Sequence, residues 1–139
     1  MPEQAVAADL IAQRGTARMV DTVLETFADG LVCRGRVSAR GPFASADGRV
    51  PAVAALELAA QATAVHQALG ASGASVTHGY LVAVRSAILH ADDVEAGVPL
   101  MATVRRAAEK GPLATYDVAV AGPAGETILT ATLSTHRGA

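Results

Sequence analysis

The chain has 139 residues, a formal net charge of −2, 51% hydrophobic residues and 17% charged ones. That is the size of one domain with its own core, too apolar for disorder and without the basic surplus of a nucleic-acid binder. Aromatics are only 3%, a poor platform for stacking bases, and a single cysteine excludes an intrachain disulfide framework and a CxxC metal site.

Taken in order, residues 1–8 read as a loose tail of a single domain spanning 1–139. The opening MPEQAVAADLIAQRG has no basic start followed by an apolar run, so no signal peptide is expected and the cytoplasm is the default location. Asp9 suits the cap of a short helix over residues 10–13, which Gly15 and Thr16 break. Two β-branched, partly alternating runs follow at 19–27 and 31–39, separated by Ala28-Asp29-Gly30, and predict an antiparallel hairpin. Cys33 lies in the second run and reads as a small core residue. Residues 40–50, RGPFASADGRV, form a loop into the next element.

That element is the centre of the chain. The stretch 51–69, PAVAALELAAQATAVHQAL, predicts one long, nearly apolar helix with Pro51 in its first turn and Gly70 at its end. A helix apolar nearly all round is buried or membrane-spanning. A mid-helix carboxylate and several amides fit a membrane badly, so burial is the expectation. Glu57 is the only Asp, Glu, Lys or Arg between Arg49 and Arg85. A buried acid is costly without a partner, which makes Glu57 the first candidate for chemistry. Gln61, one turn on, shares its face and either satisfies Glu57 or polarises a carbonyl. His66 is nine residues beyond Glu57, about 180° round the helix at roughly 100° per residue, so the two do not share a site.

After a Gly/Ser-rich linker at 70–78, the sequence turns to β. Strands are predicted at 80–90, 98–109, 113–121 and 126–136, with turns at Asp92-Asp93 to Gly97, Lys110-Gly111-Pro112 and 122–125. In the last strand Thr127, Leu129, Ala131, Leu133 and Thr135 alternate with Ile128, Thr130, Thr132 and Ser134, as in a sheet covered on one face. His78 falls in the linker, and His90 and His136 end strands, where a structural or surface role is expected. Asp92-Asp93 has no His or Cys spacing around it, so no metal site is expected, and nothing calls for a cofactor. The sum is an α+β chain: one long central helix beside an antiparallel sheet of five to six strands.

Over residues 10–136 this layout resembles the hotdog fold, a curved antiparallel sheet wrapped round a central helix, and more narrowly the 3-hydroxyacyl-thioester dehydratases of fatty-acid synthesis. LIAQRGTARMVDTV resembles that family's PHR…LLVD opening, keeping Arg14, Met19, Val20 and Asp21. Pro42-Phe43 and Gly48-Arg49 resemble its PF…HFPGRP loop. Pro51, Glu57 and Ala60-Gln61-Ala62 resemble its PGV…E-A-x-AQA helix, and GYLVAVRSAILH…VEAGVPL its next strand and turn. The loop departs from the pattern. The family's base is a histidine there, and this chain has no His between residues 1 and 65. Ser45 falls near that position, Gln13 replaces the entry histidine, and Ala52 replaces the helix-start glycine whose N–H serves an oxyanion. The variant without the loop histidine resembles dehydratase-like proteins of aryl-polyene pathways.

The resemblance implies a 3-hydroxyacyl-thioester substrate on acyl carrier protein or coenzyme A and sites at subunit interfaces, hence a homodimer or a heterodimer with a related hotdog chain, without membrane or nucleic acid. Glu57 is the expected acid or base. Ser45 and Asp47 are lesser catalytic candidates, Asp47 reading first as a turn residue before Gly48. Gly48, Pro51, Gln61 and the Ala52 N–H are the expected substrate contacts. Two alternatives stand beside dehydration: an acyl-thioesterase working with Glu57 alone, and a non-catalytic partner of an active dehydratase. Arg85, Arg105 and Arg106 are candidates to meet a phosphopantetheine arm or an acidic carrier, although exposed strand arginines are usually just solvated.

Overall fold

The computed structural model describes residues 18–38, 45, 47–69 and 79–137. The expected tail, the short helix at 10–13, Gln13, Pro42-Phe43, Gly70 and the linker with His78 lie outside the described residues. The strands are β1 (Val20–Phe27), β2 (Gly30–Gly35), β3 (Arg49–Pro51), β4 (Gly79–Leu89), β5 (Asp93–Glu95), β6 (Leu100–Lys110), β7 (Leu113–Ala121) and β8 (Thr127–Arg137), and the helix α1 spans Ala54–Leu69. Six strands form one antiparallel sheet in the order β1-β2-β6-β7-β8-β4, and β3 pairs with β5 in a separate ribbon.

Two expectations are corrected. The helix begins at Ala54, not Pro51, because Pro51 closes the short strand β3 opposite Asp93. Proline's fixed φ suits an extended residue as well as a first helical turn. The stretch from Asp92 to Gly97 is not purely a turn, since Asp93–Glu95 is β5.

The helix lies on one face of the sheet, chiefly across β6, β2, β7 and β8. It buries Ala54, Ala55, Leu58, Ala59, Ala62 and Val65 against Val20, Leu31, Cys33, Val104, Tyr116, Leu129 and Leu133. The alternation read in the last strand holds: Leu129, Ala131, Leu133 and Thr135 are buried, while Thr130, Thr132 and Ser134 are half-buried on the outer face. Ile128, at the strand's start, is buried as well. Cys33 is in the core, and burial pushes its thiol up to about 12, leaving it a small apolar side chain in practice.

The first hairpin forms where Asp29-Gly30 signals it, for a different reason. Phe27 faces Gly30 across the two-residue turn Ala28-Asp29, so Gly30 opens β2, and a Cβ there would collide with the Val104 carbonyl. Gly35, at the other end of β2, sits under the helix, where a Cβ would fall 2.5 Å from the Met19 carbonyl oxygen and 2.6 Å from Leu58 Cδ1. We expect Gly35→Ala to cost about 1–3 kcal/mol through overpacking. A urea melt checks this, and an unchanged midpoint would show that helix and strand have room to part.

Candidate functional site

Glu57 stands in the first turn of α1 and is half-buried rather than enclosed. Gln61, one turn on and fully buried, donates from Nε2 to Glu57 Oε2 at 2.9 Å. The other end of the same amide accepts two backbone N–H groups at the start of β1, from Met19 at 2.8 Å and Val20 at 3.2 Å. Gln61 therefore does satisfy Glu57, and it also ties the helix to the first strand. Removing it strands buried donors as well as loosening the acid.

The loop side is built as a turn. Ser45 Oγ lies 2.5 Å from both Asp47 Oδ1 and the Arg49 carbonyl oxygen, and the Arg49 N–H donates to Asp47 Oδ1 at 3.0 Å. The Ser45 hydroxyl first, then the Arg49 N–H, hold the exposed Asp47 carboxyl below the usual carboxylate range, so it stays ionised and is a poor proton donor. Gly48 takes φ 78°, a left-handed turn position that suits glycine, and its carbonyl accepts the Ala96 N–H at 2.9 Å. Ser45, Asp47, Arg49, Val50, Pro51, Asp92 and Asp93 line an open hollow of about 290 Å³, and Glu57 is not among its lining residues.

Ala52 is buried, and its N–H, the expected oxyanion donor, donates instead to the Asp92 carbonyl at 3.0 Å. Among the described residues, the next amides of the helix start, Val53 and Ala54, have no backbone acceptor. The Arg49–Asp93 ion pair, which joins β3 to β5 at the hollow's rim, is not foreseen in the sequence. Its only signal was two opposite charges flanking segments too short to show a period.

Three histidines lie among the described residues. His66 Nδ1 lies 2.7 Å from the hydroxyl of the buried Tyr116, edge-on to its ring, at the far end of the helix from Glu57. His90 is exposed beside Thr130, and His136 lies in β8 opposite Leu113. Among the described residues no three His, Cys, Asp or Glu side chains converge to hold a metal ion.

A family model of the ApeP-like dehydratases, described as ApeP dehydratase, matches residues 5–138. The chain belongs to the ApeP-like dehydratase family. No curated protein sequence matches it. Among solved structures, a chain of the dehydratase heterocomplex ApeI:P from Xenorhabdus doucetiae superposes with a TM-score of 0.81 at 20% identity, covering 91% of this chain and 87% of that one. A hypothetical thioesterase protein with coenzyme A from Streptococcus pneumoniae TIGR4 gives 0.61 at 14% identity, with 84% of each chain covered. Zebrafish thioesterase superfamily member 2 gives 0.62 at 18%, covering 86% and 82%. At these identities the likeness shows the fold, and it is the hotdog fold. Among the described residues no helix is long and apolar enough to cross a membrane.

Two outcomes follow for an ApeP-like chain built this way. Gln61→Leu leaves the Met19 and Val20 N–H groups without their acceptor and should cost about 2–4 kcal/mol, read as a lowered denaturation midpoint. Burial, with Arg106 adding to it, holds His66 below its ordinary value of 6.5. In the window below 6.5 the unfolded chain therefore binds the proton more readily, so stability rises with pH there and is complete above it. The melting temperature should fall as pH drops from about 7 to 5, and His66→Gln should flatten that part of the curve.

Proposed function

We propose that this ApeP-like chain is one half of a 3-hydroxyacyl-thioester dehydratase and that Glu57 is its helix acid. The observation that carries the reading is a helix carboxylate held in place by Gln61, in a chain whose loop residues Ser45 and Asp47 are engaged with each other. Dehydration needs a base for the α-proton and an acid for the departing hydroxyl. Glu57 protonates the C3 hydroxyl, which leaves as water as the C2–C3 double bond forms. The electrons of the α-C–H bond supply that double bond, and a base takes the proton. Ser45 falls near the position where the related dehydratases carry their histidine, and its hydroxyl is no such base at neutral pH. A related hotdog chain supplies the histidine across a subunit interface. The heterocomplex ApeI:P, whose fold this chain shares, supports a mixed pair.

The thioester oxygen sits at the start of α1. Because the Ala52 N–H is engaged with Asp92, the Val53 and Ala54 amides are the better-placed donors. Gly48 and Pro51 shape the approach. The acyl group arrives on acyl carrier protein or coenzyme A, in fatty-acid or polyene-type biosynthesis in the cytoplasm.

The test is water elimination from a 3-hydroxyacyl carrier-protein thioester by the chain alone, by a histidine-bearing hotdog dehydratase chain from the same genome alone, and by the two mixed. The mixture should outpace either chain, and Glu57→Gln should lower its rate by about 10²-fold or more. Equal rates with and without this chain would refute the reading. The thioesterase likenesses favour a second reading, in which Glu57 activates water alone. Thiol release from acyl-CoA by the unmixed chain, lost in Glu57→Gln, would replace the first reading with the second.

A further inference from the structure

A second hollow, of about 230 Å³, adjoins the β3–β5 ribbon. It shares Arg49 and Asp93 with the hollow beside Ser45, but neither Glu57 nor Gln61 is among its described lining residues. Its floor is apolar. Val94 of β5, Leu100 at the start of β6 and Ile128 near the start of β8 are buried side chains that line it, and Pro123 of the β7–β8 turn forms part of the wall. The volume is far more than one water needs and approaches the lower bound of about 300 Å³ for small-molecule sites.

The polar side chains that line it are all charged: Arg49, Asp93, Glu95 and Glu126. Arg49 is already paired with Asp93, and Glu95 stands opposite it across the ribbon. One guanidinium against three carboxylates leaves the lining negative. Glu126 is held in position. The Ala124 N–H donates to its Oε1 at 2.9 Å, and its carboxylate lies over Gly122, where a Cβ would fall 2.5 Å from Cδ and 2.6 Å from Oε2. The missing side chain of Gly122 is what lets the carboxylate rest against the turn. These features select the guest. An anion is repelled, and a neutral apolar guest would shield the carboxylates from water without answering them. A bare metal ion finds no use for the apolar floor. Because Glu126 Oε1 already accepts the Ala124 N–H, the two-pronged fork of a guanidinium is a poorer match than a compact ammonium.

We propose that this hollow binds a small free primary amine in its protonated form, the aryl or alkyl body against Val94, Leu100 and Ile128 and the ammonium at Glu126. Glu95 adds attraction from the ribbon side. The proposal is independent of the dehydratase reading, and its test does not use turnover. The methyl groups of Leu100 and Ile128 are followed by NMR in the isotope-labelled chain during titration with 2-phenylethylamine, 2-phenylethanol and 3-phenylpropionate, which share a body and differ in charge. The amine should shift both methyls and bind at least about threefold tighter than the alcohol, and the carboxylate should not bind. Added sodium chloride should weaken the amine alone. Glu126→Gln keeps an acceptor for the Ala124 N–H and should weaken the amine about threefold, with the alcohol unchanged. Gly122→Ala keeps every charge and should weaken it as much by displacing the carboxylate; if that variant does not fold, Glu126→Gln decides alone. Equal binding of amine and alcohol, shifts confined to other parts of the chain, or an amine affinity indifferent to Glu126→Gln overturns the proposal. So does tighter binding of Nα-acetyl-lysine methylamide than of the free amine, which would assign the hollow to a lysine side chain of another protein.

Discussion

A buried side-chain amide ties the candidate acid to the first strand. Gln61 is fully buried, and its two ends meet two different parts of the fold. The carbonyl gathers the Met19 and Val20 N–H groups, which stand at the start of β1, and the NH₂ group holds Glu57. A buried amide with partners at both ends fixes register, because any slip of the helix against β1 leaves donors unpaired at once. The small side chains of α1 allow the close approach this requires. Ala55, Ala59 and Ala62 let the helix settle onto strands whose Gly35 leaves room for Met19 and Leu58.

The two groups of candidate residues differ in chemical kind. The helix side carries a carboxylate oriented by a neutral donor and half-open to its surroundings. The loop side carries a serine and an aspartate that satisfy each other and the backbone of Arg49. An acid kept ionised by its own turn is a scaffold element more than a proton carrier. Membership of a dehydratase family and a self-satisfied loop are compatible when the chemistry is divided between chains, so that one polypeptide keeps the helix function and another keeps the loop function.

Most of the architecture was legible in the sequence because it rests on local signals. The bounds of β7 were read directly between Lys110-Gly111-Pro112 and Gly122-Pro123, where turn residues punctuate a strand on both sides. The Glu57–Gln61 contact was legible because four residues is one helical turn. What was missed depends on contacts far apart in the chain. β3 and β5 are three residues each, too short for any period, and Pro51 is consistent with either a strand end or a helix start. The grip of Gln61 on β1 spans some forty residues (41 and 42), and the occupation of the Ala52 amide by Asp92 spans the whole helix and the next strand. Neither leaves a mark in composition or spacing.

The β3–β5 ribbon has a consequence of its own. Two strands of three residues are clasped by the Arg49–Asp93 ion pair, whose side chains are 48% and 40% exposed. Charges so placed are screened within about 8 Å at physiological ionic strength and more strongly above it. The rim of the hollow beside Ser45 and Asp47 is therefore fastened by a salt-sensitive clasp, while the grip of Gln61 on the Met19 and Val20 N–H groups, neutral and buried, depends little on salt. Added electrolyte therefore acts on the β3–β5 ribbon and little on that grip, which makes ionic strength a means of loosening the rim of the hollow while the helix stays in place.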